Sequence, residues 1–333
     1  MARTEKTFLD QVLEDYGEEV LINEHAEGIP VVSTGSLAID VSLGIGGVPC
    51  GRMTEIFGPE SSGKTTMCLS IANQTLLKGE KVLYVDTENS LDYGYAEDVL
   101  GKDFDKERMA IVQPLSAEDA FELTEKGINS GFRTIIFDSI AALSPMKELE
   151  DEFTDAQMGL APRLTGKFLR RNAHVIRKNE VAMVLTNQVR ANIGAYHGGF
   201  ETPAGYALKH YTSVRIYITR GKEIVVDDIK IGNFVNFVIK KNKLSVPFRS
   251  ATTNLIYGKG VDYYRDVIQF ASLLGVIKSR GAYLAFDDVT IGLGLAKSSQ
   301  ALAENKELLD NIVNMCYNVA GSVKAMAPVE VEE

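Results

Sequence analysis

The sequence predicts an α/β protein built on a mostly parallel central sheet, with a helix ahead of the sheet and a small α+β domain behind it. Three observations carry this expectation. Apolar, β-branched runs of strand length recur from about residue 31 and alternate with helical patterns: "KVLYVD" (81–86), "MAIV" (109–112), "RTIIFDSI" (133–140) and "VAMVLTNQ" (181–188). Continuous apolar runs of this length suit strands covered on both faces, as in a parallel sheet. Next, "GPESSGKTT", Gly58 to Thr66, follows the strand-like "RMTEIF" (52–57) and precedes a helical stretch over 66–77, the setting of a phosphate-binding loop. Finally, after "NLIYGKG" (254–260) the texture changes to short helices around a glycine-punctuated "SRGAYLAFDDVTIGLG". That change marks a C-terminal domain over 261–323, with a solvated acidic tail over 324–333.

Taken in chain order, residues 4–22 come first, with Phe8, Leu9, Val12, Leu13, Tyr16 and Val20 forming a helical stripe on an acidic segment. Such a segment is too short to be a domain. Residues 1–30 are therefore expected to be a helix and linker that pack on this chain's own core or on a neighbouring subunit. The core over 31–260 opens on the phosphate loop. Gly58 and Gly63 let backbone N–H groups turn inward around an anion, with Pro59, Glu60, Ser61 and Ser62 forming the turn between them. Lys64 can reach β and γ phosphates, the Thr65 hydroxyl can ligate Mg²⁺, and Thr66 opens the helix whose N-terminus faces the anion. Two later runs, "SVRIYITR" (213–220) and "NFVNFVIKK" (233–241), follow without long helices, which predicts antiparallel additions to the sheet.

Composition bounds the class. The chain has 333 residues, 45% hydrophobic and 24% charged, ordinary for a soluble globular protein. Cys50, Cys68 and Cys316 are far apart and lack metal spacing, so neither a disulfide framework nor a zinc site is indicated. No apolar run reaches membrane-spanning length and the N-terminus lacks a signal-peptide core; a cytoplasmic location is expected. The net charge of −10 argues mildly against nucleic-acid binding, but its distribution argues the other way. Residues 163–220 hold ten Lys or Arg against two acids, whereas residues 1–30 hold two basic residues against eight acidic ones.

Strand ends carry the chemistry. Asp138, closing "TIIFD", stands where a carboxylate can hold the water shell of Mg²⁺, or alternatively cap the next helix. Asp86 and Glu88 in "VDTENS" lie on one face, and a carboxylate there can polarise a water for in-line attack; Glu88 is the candidate general base. "LTNQVR" ends another strand with Asn187 and Gln188, neutral amides able to sense a γ-phosphate and pass its loss to the following loop. Two irregular segments, about 148–160 and 189–206, lie beside Arg163, Lys167, Arg170 and Arg171 at helical spacing. Mobile loops beside a basic helix face suggest a polyanion, most simply a nucleic-acid backbone, or else a solvated face. Lys241 and Lys243 share one side of a strand. They could reach a neighbour's ATP as arginine fingers do in trans, or guard a sheet edge against aggregation.

Taken together these residues resemble the bacterial RecA recombinase family. "STGSLAIDVSLGIGGVPCGRMTEIFGPESSGKTT", "VDTENSLDYGYA", "DSIAALSP", "MGLAPR", "NQVR" with "NIG", "ALKHYTSVR" and "KKNKLSVPF" occur in that family's order and approximate spacing. The similarity runs from about residue 33 through the C-terminal domain and more weakly through the N-terminal helix. It implies a RecA-type P-loop NTPase core. It also implies a DNA-dependent ATPase that forms helical filaments on single-stranded DNA, promotes strand exchange and acts in recombinational DNA repair, with ATP and Mg²⁺ as cofactors and duplex DNA admitted by the C-terminal domain.

By the same resemblance, Glu88 would be the catalytic glutamate, and Asp92 and Tyr95 would contact the adenine, Tyr95 by stacking. Gln188 would couple the γ-phosphate to the second DNA loop, and Lys241 and Lys243 would act across the subunit interface. Met158, Gly159, Arg163 and Arg170 would serve the first DNA loop; Arg190, Ile193, Gly194 and Gly205 would serve the second. Departures fall elsewhere: Asn192 stands where lysine is usual, His197 and His210 replace aromatics, Leu295 lies near a usual lysine, and "YGEEVL" is acidic. The catalytic set is intact while DNA- and subunit-contacting surfaces have drifted. A ring-forming helicase motor or a regulatory ATP-binding assembly would share the core.

Overall fold

The structure, a computed structural model, describes residues 7, 13–15, 28–102, 104–150, 159–191, 200–203, 205–247 and 249–322. Two compact units are present, Met1–Pro30 and Val31–Glu333. Within the first, residues 13–15 are helical. The rest of the predicted stripe (Phe8, Leu9, Val12, Tyr16 and Val20) lies outside the described residues, as does the tail over 324–333.

The second unit begins with β1 (Val31–Val32), α1 (Leu37–Leu43) and β2 (Val48–Pro49), the two strands pairing antiparallel. There follow β3 (Arg52–Gly58), α2 (Lys64–Leu77), β4 (Lys81–Asp86), α3 (Tyr93–Leu100), β5 (Met109–Val112) and α4 (Ala117–Asn129). Next come β6 (Phe132–Asp138), a 3₁₀ turn at Ile140–Ala142, α5 (Met146–Glu150), α6 (Leu160–Lys178) and β7 (Ala182–Gln188). A small ribbon of β8 (Arg190–Ala191) and β9 (Phe200–Glu201) leads to α7 (Gly205–Tyr211), then β10 (Val214–Val226), β11 (Ile229–Asn242), β12 (Ser250–Ile256) and β13 (Gly260–Val261). The C-terminal elements are α8 (Tyr263–Leu273), β14 (Ile277–Arg280), β15 (Tyr283–Phe286), β16 (Val289–Leu293), α9 (Gly294–Glu304) and α10 (Lys306–Ser322).

The large sheet has the order β13-β12-β11-β10-β3-β7-β6-β4-β5. From β10 to β5 every pairing is parallel, and from β10 to β13 every pairing is antiparallel. One expectation is corrected here. The run at 213–220 is not wholly an antiparallel addition, because Val214–Tyr217 pairs in parallel with Thr54–Phe57. The seven-residue α7 supplies the returning crossover, and so short a helix leaves no clear periodicity inside a glycine-rich stretch.

Alternation along the strands sorts the core into two faces. Val82 and Tyr84 join Ile136, Val184 and Ile216 against Met67, Leu69 and Ile71 of α2. Leu83 and Val85 join Ile135, Phe137, Met183 and Leu185 against Phe121 of α4 and Phe168 of α6. Phe121 stacks on Phe168 with ring centroids 4.5 Å apart. Both faces of β3, β4, β6 and β7 are thus buried, as apolar runs of this kind predict, whereas β5 at the sheet edge is half-buried over Ala110–Val112.

A third core joins Leu37, Ala38 and Val41 of α1 to the C-terminal elements, among them Val267, Phe286 and Ile312. Two buried carboxylates sit beside it. Asp40 accepts from Ser33 Oγ (2.5 Å), Thr34 N (2.9 Å) and Thr34 Oγ1 (2.7 Å). Asp266 of α8 accepts from Ser36 Oγ (3.1 Å), Thr253 Oγ1 (2.5 Å) and Ala38 N (3.2 Å), which ties α8 to both α1 and β12. Burial, the largest influence on each, pushes Asp40 up to about 7 and Asp266 up to about 6, against the pull of these hydrogen bonds. Since both folded values lie above those of an unfolded carboxyl, the protons stabilise the fold at low pH, and that contribution is lost as pH rises through them. The thermal midpoint is therefore expected to drop between about pH 5 and about pH 8, by on the order of 5 °C, and Asp40→Asn to flatten the dependence. Calorimetry across that range checks it.

Candidate functional site

The phosphate loop is shaped by close approach. A Cβ at Gly58 would lie 2.1 Å from the Ile218 carbonyl of β10, and Gly63 has φ +95° with Leu255 beside it. Gly63 is the N-cap of α2 and makes no side-chain capping bond, so the helix presents its first N–H groups to an anion. The Ser62 hydroxyl is buried without a protein partner among the described residues. A buried hydroxyl of this kind is costly unless it is paired, and a bound phosphate oxygen would satisfy it. Lys64 Nζ donates to the carbonyls of Gly58 (3.1 Å) and Pro59 (2.7 Å). Its burial lowers its pKa, opposed by Asp138 and Glu88.

Asp138 ends β6 at the centre of the site. Its carboxylate accepts from Thr65 Oγ1 (2.8 Å), Tyr84 OH (2.6 Å) and Thr186 Oγ1 (2.5 Å). Ser139, not Asp138, is the N-cap of the following 3₁₀ turn, which answers the capping alternative. Glu88 Oε1 accepts from Ser139 Oγ at 2.5 Å and from Gln188 Nε2 at 3.2 Å. An acid at the end of β4 and an amide at the end of β7 therefore meet, although 100 residues separate them. Asp86 does not share this role. It is buried and turned inward, accepting from Leu91 N (3.1 Å) and Gln113 Nε2 (3.0 Å), so it shapes the turn that carries Glu88. Asn187 is likewise fully buried and bonded to Glu55, leaving Gln188 as the amide at the phosphate side.

Asp92 caps α3, accepting from Tyr95 N at 2.7 Å, and the Tyr95 hydroxyl lies 2.5 Å from Thr66 Oγ1. Tyr95 and Thr66, but not Asp92, line the phosphate-loop cleft, which has a volume of about 360 Å³ and whose other side β10–β12 close through Arg220, Asn233, Leu255 and the edge residue Tyr257. Arg220 Nε donates to Asn233 Oδ1 (3.0 Å), and Asn233 Nδ2 donates to the Tyr257 hydroxyl (2.8 Å). Sequence reasoning missed this wall, because only the antiparallel register of β10–β12 brings these three together. A larger groove of about 740 Å³ lies between α4 and α6; it contains none of the phosphate-site residues.

Lys241 and Lys243 converge. Lys241 Nζ donates to the carbonyls of Lys209 (2.5 Å) and His210 (3.3 Å), and Lys243 Nζ to His210 (3.3 Å). Burial first, then Lys243 and Arg215, lower the Lys241 pKa. Neither lysine lines the cleft of its own chain.

The two irregular segments end side by side. Gly159, φ +90°, starts α6 without a side-chain cap. Gly205, φ +71°, starts α7, and a Cβ there would lie 3.6 Å from Pro162, just as one at Gly166 would lie 3.4 Å from Ala207. Arg163, Lys167 and Arg170 are exposed on α6, opposite its buried Thr165, Phe168 and Leu169. Arg171 instead pairs with Glu125 at 3.3 Å. Arg190 stands in β8; Met158, Asn192, Ile193, Gly194 and His197 lie outside the described residues.

A phosphate loop at the first crossover of a parallel sheet, with acids and an amide at neighbouring strand ends, defines a P-loop nucleotide hydrolase. Comparisons with known proteins narrow the class. The RecA N-terminal domain profile matches residues 3–262 and the RecA C-terminal domain profile matches residues 265–319. The chain is 40% identical to Protein RecA of Thermus thermophilus over 298 residues, 89% of this chain and 87% of that one. It is 35% identical to Protein RecA of Halalkalibacterium halodurans over 332 residues (97% and 94%) and 37% identical to that of Helicobacter hepaticus over 327 residues (96% and 94%). The chain belongs to the RecA family: it is a recombinase of DNA repair and a DNA-dependent ATPase.

Proposed function

We infer that the chain polymerises as a helical filament on single-stranded DNA in the cytoplasm, pairs it with duplex DNA, and holds ATP at each interface between neighbouring copies. The observation that carries this reading is the hydrogen bond from Gln188 to Glu88, because it joins the acid beside the phosphate loop to the first residue before the 189–206 segment. Glu88 draws a proton from the attacking water, held in place by Ser139. Lys64 and the N-terminal N–H groups of α2 hold the phosphates. Among the described residues no group of three or more His, Cys, Asp or Glu could hold a metal alone. Mg²⁺ would accordingly be bound by Thr65, by Asp138 through water and by phosphate oxygens, which suits its preference for octahedral oxygen ligands; when bound it neutralises phosphate charge.

Asp92 and Tyr95 border the place for the adenine, next to Thr66. Lys241 and Lys243 serve the γ-phosphate of the adjoining copy, as cations supplied in trans do. Arg163 and Arg170, with Met158 and Gly159, serve the first DNA contact, and Arg190, Ile193, Gly194 and Gly205 serve the second. The contacts of α7 with α6 support one shared DNA path for both segments. Hydrolysis removes the γ-phosphate from Gln188, and the grip on DNA relaxes by differential affinity of two assemblies. Among the described residues no helix is long and apolar enough to cross a membrane. The test is ATP turnover with and without single-stranded DNA, with filaments imaged in parallel. Turnover should rise with DNA and fall with added salt; closed rings, or turnover indifferent to DNA, would contradict the reading.

A further inference from the structure

A buried acid–base group stands behind the phosphate site and is used by none of the steps above. Glu55 lies on β3, three residues before Gly58, and has no exposed surface. Its Oε2 accepts from Arg215 Nε and its Oε1 accepts from Asn187 Nδ2 at 2.9 Å. The Asn187 amide group is shared: Nδ2 also donates to the Pro203 carbonyl at 3.0 Å, and Oδ1 accepts from Gln188 N at 2.9 Å. Arg215 sits 4.5 Å above the Phe57 ring and pairs in register with Lys241 on β11. One carboxylate thus touches, directly or through one side chain, the backbone of Gln188, the chain just before α7, and the strand position beside the lysine pair.

An ion pair with one member wholly buried gains little stability over an apolar replacement, so its chemistry points to a role other than stability. We propose that Glu55 is a positioning residue that couples the γ-phosphate side of the cleft to the 189–206 segment and to Lys241. The inference rests on the coupling role of Gln188 proposed above. A shift of Gln188 on loss of the γ-phosphate pulls on the Asn187 carbonyl oxygen. Because both hydrogens of the Asn187 amide are engaged, by Glu55 and by Pro203, the movement is passed to Pro203, while Glu55 and Arg215 hold β3, β7 and β10 in fixed alignment. Coupling carried this way runs through a contiguous hydrogen-bonded network.

The test uses the full chain and two variants. Glu55→Gln with Arg215→Gln removes both charges of the pair together, and Asn187→Ala leaves the ion pair in place while cutting the link to Pro203. The readout is the ratio of single-stranded DNA affinities, measured with a labelled oligothymidylate, in a slowly hydrolysed ATP analogue against ADP. The expected result is a ratio reduced about tenfold in both variants, with nucleotide affinity within about twofold of the parent. A ratio kept within about twofold of the parent in either variant overturns the proposal, and so does a parallel loss of nucleotide affinity, the mark of a purely structural role. A parent ratio of one overturns the coupling reading itself, and the role of Glu55 with it.

Discussion

Glu88→Gln is expected to abolish ATP turnover while nucleotide and single-stranded DNA binding persist. The amide keeps the shape of the side chain, and its oxygen still accepts from Ser139 and Gln188, the two groups that hold Glu88. What it loses is the ability to take a proton from water. General-base catalysis contributes about 10²–10⁴-fold, so turnover should drop by that factor with little change in nucleotide affinity. Lys64, Ser62 and the α2 N-terminus, the groups proposed to hold the phosphates, are untouched by the change. Steady-state turnover beside equilibrium nucleotide binding makes the measurement, and hydrolysis at the parental rate would assign the base elsewhere.

Replacing Lys241 and Lys243 together by alanine should have the largest effect of any surface change. Among the described residues both ammonium groups donate to the backbone carbonyls of Lys209 and His210 within their own chain, so the fold loses on the order of 1 kcal/mol. A cation supplied in trans to a transferring phosphoryl group is worth about 10³–10⁵-fold in turnover. DNA-stimulated turnover should therefore collapse by that factor, while the isolated chain binds nucleotide as before. Unchanged thermal melting with lost DNA stimulation is the expected pair of observations. Parental turnover in the double variant would leave the lysines as guards of a sheet edge.

Much of this was legible in the sequence because the signals are local. "KVLYVD" and "MAIV" are strands with the boundaries their apolar runs suggest, since strands packed under helices are apolar along most of their length. The phosphate loop and the carboxylate at the end of β6 are likewise fixed by a few adjacent residues. What the sequence withheld depends on register. Asp86 and Glu88 share a face, yet one turns inward to Gln113 and the other outward to Ser139; period-two reasoning cannot separate them. Glu55 finds partners 132 and 160 residues away, and Arg220, Asn233 and Tyr257 meet only through the β10–β12 pairing. α7 hid in a glycine-rich stretch, and with it the parallel return of β10.

The central claim is that one active site is built from two copies of the chain, and mixing two inactive proteins tests it most directly. A Lys241→Ala, Lys243→Ala protomer retains Glu88 and its phosphate loop, whereas a Glu88→Gln protomer retains both lysines. In an equal mixture on single-stranded DNA, about one interface in four should pair an intact cleft with intact lysines across a head-to-tail contact, and DNA-dependent ATP turnover should reappear. Silence at every mixing ratio, with both proteins shown to occupy the same DNA, would contradict a shared site.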